Sequence, residues 1–478
     1  MTSQTGLSSE GKLSKNSVGL AHIVFFVVAA AAPLTAVVGA TPAAFAFGNG
    51  AGVPGAFVLS GALYLLFAVG FATMSRYVGS AGGFYTYIAQ GLGKPAAIGG
   101  AMMALVAYSA IQLAVYGLFG VFMVGAMQPL GIEAPWFVWS FVLLAIVLVC
   151  GQRNIAFSGA ILGVCMIGEI VILLLLDLAI LHHGSAGGFS LSSFTPSVVF
   201  QPGLGVALVF VLGSFIGFEA TTIFGEEAEN PDRTIPRATY LAVILITGFY
   251  AFSTWAIVQY YGADKVQEAA ASNIEGFYFQ AAETLLGRWS VQAMNVLLIT
   301  SLFACVLSFH NTINRYFFAL GREGVILRAL GAVHARHGSP HVAGLVQSGL
   351  AAIVLGFFVA AGADPYAVVF SWMAALSVIG ILAVQIMVCL AVVMFFRKME
   401  NRPDVWKVLV APLVSLIGLA GGLLLVIGNL SLLAGSDSMI VQAFPYLMLL
   451  VGLVGAAFAL QIKGSRPELY AALGKAFE

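Results

Sequence analysis

Long apolar runs alternate with short polar connections along the whole chain, and the length of the runs decides how they are read. About 20 consecutive apolar residues suffice for a helix to cross a bilayer. By that measure twelve candidate helices follow one another at 18–47, 54–78, 95–127, 136–152, 157–182, 203–226, 237–261, 289–320, 341–361, 366–396, 405–428 and 441–462. Two of them, 95–127 and 289–320, exceed a minimal span and predict tilted helices. The first run is longer than the core of a signal peptide and has no convincing cleavage site, so it reads as the first crossing.

Composition sharpens the class. The 478 residues are 60% hydrophobic and 8% charged, where a soluble domain carries roughly 25% charge. An all-α integral membrane protein is expected. Lys and Arg together number 20 and balance 20 acidic residues, so nothing points to nucleic acid. With the N-terminus inside, only Lys265 and Arg288 fall on the outer side, and every other basic residue falls on the cytoplasmic side. Both termini are therefore expected in the cytoplasm. The four cysteines, Cys150, Cys165, Cys305 and Cys389, lie within apolar segments and match no disulfide or metal spacing.

The longest external connection, 262–288, has a helix-forming composition and predicts a short helix on the outer surface, a candidate outer gate. The glycine- and tyrosine-rich stretch 79–94 is either a loop folded back into the inner mouth or an ordinary connector.

Two runs are interrupted. The first holds Pro33, Gly39 and Pro42, and a proline removes an amide donor and breaks the turn before it. The sixth holds Gly213, Gly217 and an ionisable Glu219, then leaves through Glu226, Glu227, Glu229, Asp232, Arg233 and Arg237. Broken backbone at membrane depth is tolerable only where it lines a cavity, and paired breaks at positions one and six point to a midplane binding site. The pattern fits a protein that moves a small polar solute across the membrane.

The stretch FIGFEATTIFGEEAENPDRTIPRAT resembles the helix-6 signature of the amino acid–polyamine–organocation (APC) superfamily of permeases. Supporting matches are Ala81-Gly82-Gly83-Phe84-Tyr85-Thr86-Tyr87 and Gly321-Arg322-Glu323-Gly324. The resemblance implies a LeuT-like 5+5 inverted repeat with broken helices 1 and 6, followed by two further helices. It implies a cytoplasmic tail (1–17), a ten-helix transport core (18–396), the additional pair (405–462) and a second cytoplasmic tail (463–478), in the cell membrane. By the same resemblance, Pro33, Leu34, Thr35, Ala36 and Val37 form the break in helix 1, and Phe215, Ile216, Gly217 and Phe218 the break in helix 6. Carbonyls there would take the substrate ammonium and helix-1 amides its carboxylate, as half-helix ends favour. Tyr108, Gln112 and Phe309 fall at positions similar to pocket residues. Many amino-acid members carry a Gly-Ser/Thr-Gly turn where this chain reads Thr35-Ala36-Val37, which leaves a decarboxylated amine open as substrate.

Charged residues at membrane depth are candidates by default. Glu169, in place of a lysine found in several relatives, could load and release a proton, serve as a structural carboxyl bonded to helices 1 and 8 near Ser308, or bind sodium. Glu219 is a gating or proton-sensing candidate, or a cap on broken-helix amides. Asp177 lies about 12 Å further along its helix and is read as a solvated outer-rim carboxylate. His310 is read as packed and hydrogen-bonded, with titration the alternative. No HExxH, GxSxG or Cys/His cluster is present, so an enzyme is not expected. The expectation is a proton-coupled amino acid importer working by alternating access, with an amine or polyamine permease or an exchanger as the alternative. No cofactor is expected beyond the proton as coupling ion, and the partners are a small-molecule substrate and the lipid bilayer.

Overall fold

The structure, a computed structural model, describes residues 19–78, 83–153, 159–184, 188–219, 221, 228–334, 337–434 and 438–473. It is all-helical. In chain order the main helices are α1 (Leu20–Ala31), α2 (Thr41–Phe47), α3 (Val53–Met74), α4 (Gly83–Leu92) and α5 (Lys94–Met127). Then come α6 (Trp136–Gln152), α7 (Gly159–His183), α8 (Leu204–Gly213), α9 (Pro231–Tyr261), α10 (Val266–Ser272) and α11 (Phe277–Leu286). The chain closes with α12 (Arg288–Arg322), α13 (His341–Ala360), α14 (Ser371–Arg397), α15 (Ala411–Gly428) and α16 (Phe444–Ser465). Among the described residues nine helices are long and apolar enough to cross a membrane, and Thr35–Phe47, Trp136–Gln152 and Leu204–Gly213 are shorter apolar helices.

Helix α5 is the hub. Its most apolar window is 72% buried, against 22% for the last helix, and α12, α14 and α16 all pack along it. The peripheral α13, α15 and α16 instead turn Leu, Ile and Val outward, including Ile353, Ile417, Leu424 and Leu453. Such an apolar outer surface is stable only against lipid or another apolar partner.

Local chemistry explains the breaks and starts. α1 stops at Ala31 because Pro33 offers no amide, and Ala32 turns with φ +46°. The chain resumes as a π turn over Thr35–Ala40 and runs into α2, where Pro42 sits in the first turn and removes an amide that needs no partner. α8 ends at Gly213, and loose turns follow to Gly217, whose φ of +113° is left-handed. α9 begins at Pro231 rather than at 237 as its apolar run suggests. Pro231 occupies the first turn, where proline is tolerated, after a left-handed Asn230.

Residues 83–92 of the glycine- and tyrosine-rich stretch form a helix. α4 lies against α5 and α14, so close that a Cβ on Gly91 would stand 2.2 Å from the Ala391 carbonyl oxygen. Ala81 and Gly82 lie outside the described residues, as do Glu226 and Glu227 of the charged patch. One face of the bundle is tied by Tyr77 on Phe396, Gln152 donating to the His341 carbonyl, and Lys94 donating to the carbonyls of Tyr470 and Ala471. With Lys94, Arg153 and Arg397 at its helix ends, this is the basic face. The opposite face carries α10 and α11, so residues 262–288 supply two short helices rather than one.

Candidate functional site

The two broken segments border a cavity of about 50 Å³. Its wall is built from Thr35, Ala36 and Ala40 of the first segment and Phe210, Gly213, Ser214 and Ile216 of the sixth, with Cys305 and Phe309 from α12. Ala31 of α1, Val209 of α8, Ile111 and Val115 of α5, and Phe370 and Ala374 at the start of α14 complete it. Among the described residues no lining side chain is charged; the polar groups are the Thr35 and Ser214 hydroxyls, the Cys305 thiol and the backbone of the breaks. At 10–15 Å³ per probe-sized water, the space suits a few waters or one small solute.

The structure thus brings Thr35, Ala36, Ile216 and Phe309 together on one wall and sends the other expected residues elsewhere. Phe215 packs on Phe57 and Tyr64, and Phe218 on Tyr64 and Phe67, within an aromatic core beside the break. Leu34 and Val37 are fully buried in the bundle, and Pro33 is buried at the break. Gln112 donates to the Val306 carbonyl at 3.5 Å. Tyr108 donates to Glu219 Oε1 at 2.5 Å and packs near Phe309 and Tyr316. Val209, Ile111, Val115, Cys305, Phe370 and Ala374 were not among the expected site residues. They belong to helix faces that only the packing selects, and their apolar character carries no sequence signal of its own.

Side chains satisfy the backbone freed at the first break. The Tyr250 hydroxyl donates to the Ala31 carbonyl at 3.0 Å. Glu169 Oε2 accepts from the Leu34 amide at 3.2 Å and from the Ser301 hydroxyl at 2.8 Å. Ser301 in turn accepts from the Thr35 hydroxyl at 3.0 Å and the Thr35 amide at 3.4 Å. A carboxylate at the start of the resumed helix suits the unpaired amides and positive dipole there. Glu169 therefore links α7, the first segment and α12 through Ser301, two turns from Ser308, and the amides of Leu34 and Thr35 are already engaged. At the second break, Glu219 Oε2 accepts from the Gly217 amide at 3.0 Å, so Tyr108 on α5 and the broken segment share one carboxylate.

Hydrogen bonds tie the segments on either side of the cavity. Towards α10 and α11, Thr41 and Tyr278 meet at 3.0 Å, Tyr366 donates to the Gly39 carbonyl at 2.6 Å, and Gln267 donates to the Gly48 carbonyl at 3.1 Å. Towards the basic face, Tyr85 donates to Glu323 at 2.6 Å. The two motif stretches that support the family resemblance thus meet through their side chains, a contact that sequence alone does not display.

Two further residues differ in setting. Asp177 is not a solvated rim group: it is 1% exposed and accepts from the Ser253 hydroxyl of α9 at 2.7 Å. The fold buries it because α9, α11 and α12 all pack on α7. His310 is buried beside Gly151 and pairs through Nδ1 with Gln347 at 2.8 Å, away from the cavity wall.

The chain is 25% identical over 310 residues to the human cystine/glutamate transporter, covering 63% of this chain and 60% of that protein. It is 32% identical over 152 residues to the human Asc-type amino acid transporter 1, covering 31% of this chain and 28% of that protein. It is 34% identical over 145 residues to the human large neutral amino acids transporter small subunit 2, covering 29% and 26%. The chain thus spans about 60% of the length of the cystine/glutamate transporters it matches. These relatives are transporters, not enzymes. The amino acid permease family profile matches residues 22–468, nearly the whole chain, and this multi-pass membrane protein belongs to the amino acid permease family of the APC superfamily.

Proposed function

We propose that this permease is a secondary active transporter of a small amino acid with an uncharged side chain. The observation that carries the reading is the cavity between the two broken segments, whose named lining residues carry no charge. Neither Glu169 nor Glu219 stands on its wall, which favours one ammonium held by backbone carbonyls over a polyamine. In this reading twelve helices cross the cell membrane as a 5+5 inverted repeat plus two, with both termini and the basic face in the cytoplasm. Alternating access parts the α10–α11 contacts and the Tyr85–Glu323 contact in turn. Glu169, bonded to the half-helix on one side and α12 on the other, carries the coupling proton, and Glu219 gates the second break. A second reading, exchange without a proton, draws on the same bonds: Glu169 would then only pin the break.

Uptake into proteoliposomes tests the reading. A labelled panel of amino acids and amines would be offered with an inward proton gradient, with a sodium gradient, and with neither. Accumulation of a small neutral amino acid only under the proton gradient is the expected result. Uptake that needs only unlabelled amino acid inside would establish exchange instead.

The cavity itself can be checked through Cys305, the cysteine on its wall. In a variant with Cys150, Cys165 and Cys389 replaced by Ala, a small methanethiosulfonate reagent should inactivate transport. Substrate at about ten times its Kd should slow that inactivation roughly tenfold by mass action. Inactivation at the same rate with and without substrate would place the solute elsewhere.

A further inference from the structure

Helix α7 carries two buried carboxylic acids, and the coupling scheme above uses one. The other, Asp177, stands eight residues or about 12 Å beyond Glu169, towards the face that carries α10 and α11. An acid so deep in an apolar bundle requires a partner, and Ser253 of α9 supplies one hydroxyl at 2.7 Å. α11 packs on α7, and its Tyr278 lies within reach of the Asp177 charge while bonding Thr41 of the broken segment. Of the other titratable groups on helices packed against α7, Tyr250 and Cys305 lie within reach of Glu169. Ser253 and Tyr250 are three residues apart on α9 and so occupy one face across the interval between the two acids. The Tyr250 hydroxyl ends that face at the Ala31 carbonyl, beside the Leu34 amide that holds Glu169.

We propose that Asp177 is a proton-loading site on the outer half of α7, hydrated when α11 lifts off Thr41, which passes its proton inward to Glu169. The inference rests on the proton-coupled reading above. A hydronium of the outer water gives its proton to an Asp177 carboxylate oxygen and leaves as water. In the second step the Asp177 O–H bond breaks, the proton crosses by water and the hydroxyls of Ser253 and Tyr250, and an O–H bond forms on Glu169. Asp177 returns to the carboxylate, and Glu169 later releases the proton towards the basic face. Tyr278 bonds Thr41 and also feels the charge of Asp177, so in this scheme loading follows the parting of α11 from Thr41.

The experiment compares wild type, Asp177→Asn, Asp177→Glu and Glu169→Gln in proteoliposomes holding a pH-sensitive dye. The probe is the amino acid returned by the uptake panel. Asp177→Asn should lower proton-driven accumulation about tenfold, a loss of 1.4 kcal/mol of coupling. It should also flatten the dependence on external pH, while exchange of the same amino acid across the membrane continues. Asp177→Glu should restore both. If Glu169→Gln fails to accumulate but Asp177→Asn behaves as wild type, the loading site is wrong and the coupling reading stands. If Glu169→Gln also accumulates normally, the coupling reading falls, and this proposal with it. Should Asp177→Asn not fold, Ser253→Ala decides. It removes the hydroxyl partner and should move the external pH of half-maximal uptake, and an unmoved midpoint overturns the proposal.

Discussion

Glu169→Gln should abolish concentrative uptake while leaving folding and substrate binding largely intact. Both hydrogen bonds to Glu169 end on Oε2, one from the Leu34 amide and one from Ser301. A glutamine can place its carbonyl oxygen there and keep both, so the broken segment stays pinned. What it loses is the capacity to carry a proton. With one proton per solute, a gradient of about one pH unit supports roughly tenfold accumulation, because 1.4 kcal/mol is a factor of ten. In the variant that ratio should fall to about one, with the Kd for substrate nearly unchanged. Glu169→Ala separates the roles further: it removes the acceptor of the Leu34 amide and of the Ser301 hydroxyl proton in a buried site, at about 1–3 kcal/mol, and should lower thermal stability. Unchanged accumulation and pH dependence in Glu169→Gln, with a destabilised alanine variant, would make the group purely structural and place the coupling proton on another residue.

The same residue shows how far a sequence can be read. That Glu169 sits at membrane depth follows from the apolar run around it, and a structural bond to the first and eighth helices was an open alternative. The height of its partner was not legible. Ser301 and Ser308 lie seven residues apart, on nearly the same face of α12, and only the packing of α12 against α1 and the Thr35–Ala40 turn chooses between them. Asp177 makes the point in reverse. Helix rise put it correctly towards the far end of α7, but solvent access depends on α9 and α11, which come from distant parts of the chain. Proline chemistry located the break after Ala31 because the missing amide is a local property. The rotation of Phe215 and Phe218 into an aromatic core, with Ile216 left on the cavity, depends on the loose turns after Gly213 and has no periodic signature.

Those turns set up a second large effect, on two glycines that look alike in the sequence. Gly217 has a φ of +113° and donates its amide to Glu219, whose other oxygen is held by Tyr108. A side chain there is strained whatever space surrounds it, at about 1–3 kcal/mol. Gly217→Ala should therefore let the turn relax, loosen the Tyr108–Glu219 link between α5 and the broken segment, and slow transport roughly tenfold or more. Gly213 ends α8 in ordinary helical geometry, and a Cβ there would meet Val378 Cγ2 at 3.7 Å, a normal contact. Gly213→Ala should leave thermal stability unchanged or raise it, since alanine favours a helix over glycine by up to about 1 kcal/mol. Yet Gly213 lines the cavity, so the added methyl should raise KM, more steeply for larger amino acids. Thermal melts together with KM and maximal rates for a short series of neutral amino acids would read both variants. A Gly217→Ala protein that transports at the wild-type rate would show that the left-handed turn is dispensable. A Gly213→Ala protein with unchanged KM across the series would move the solute away from this wall.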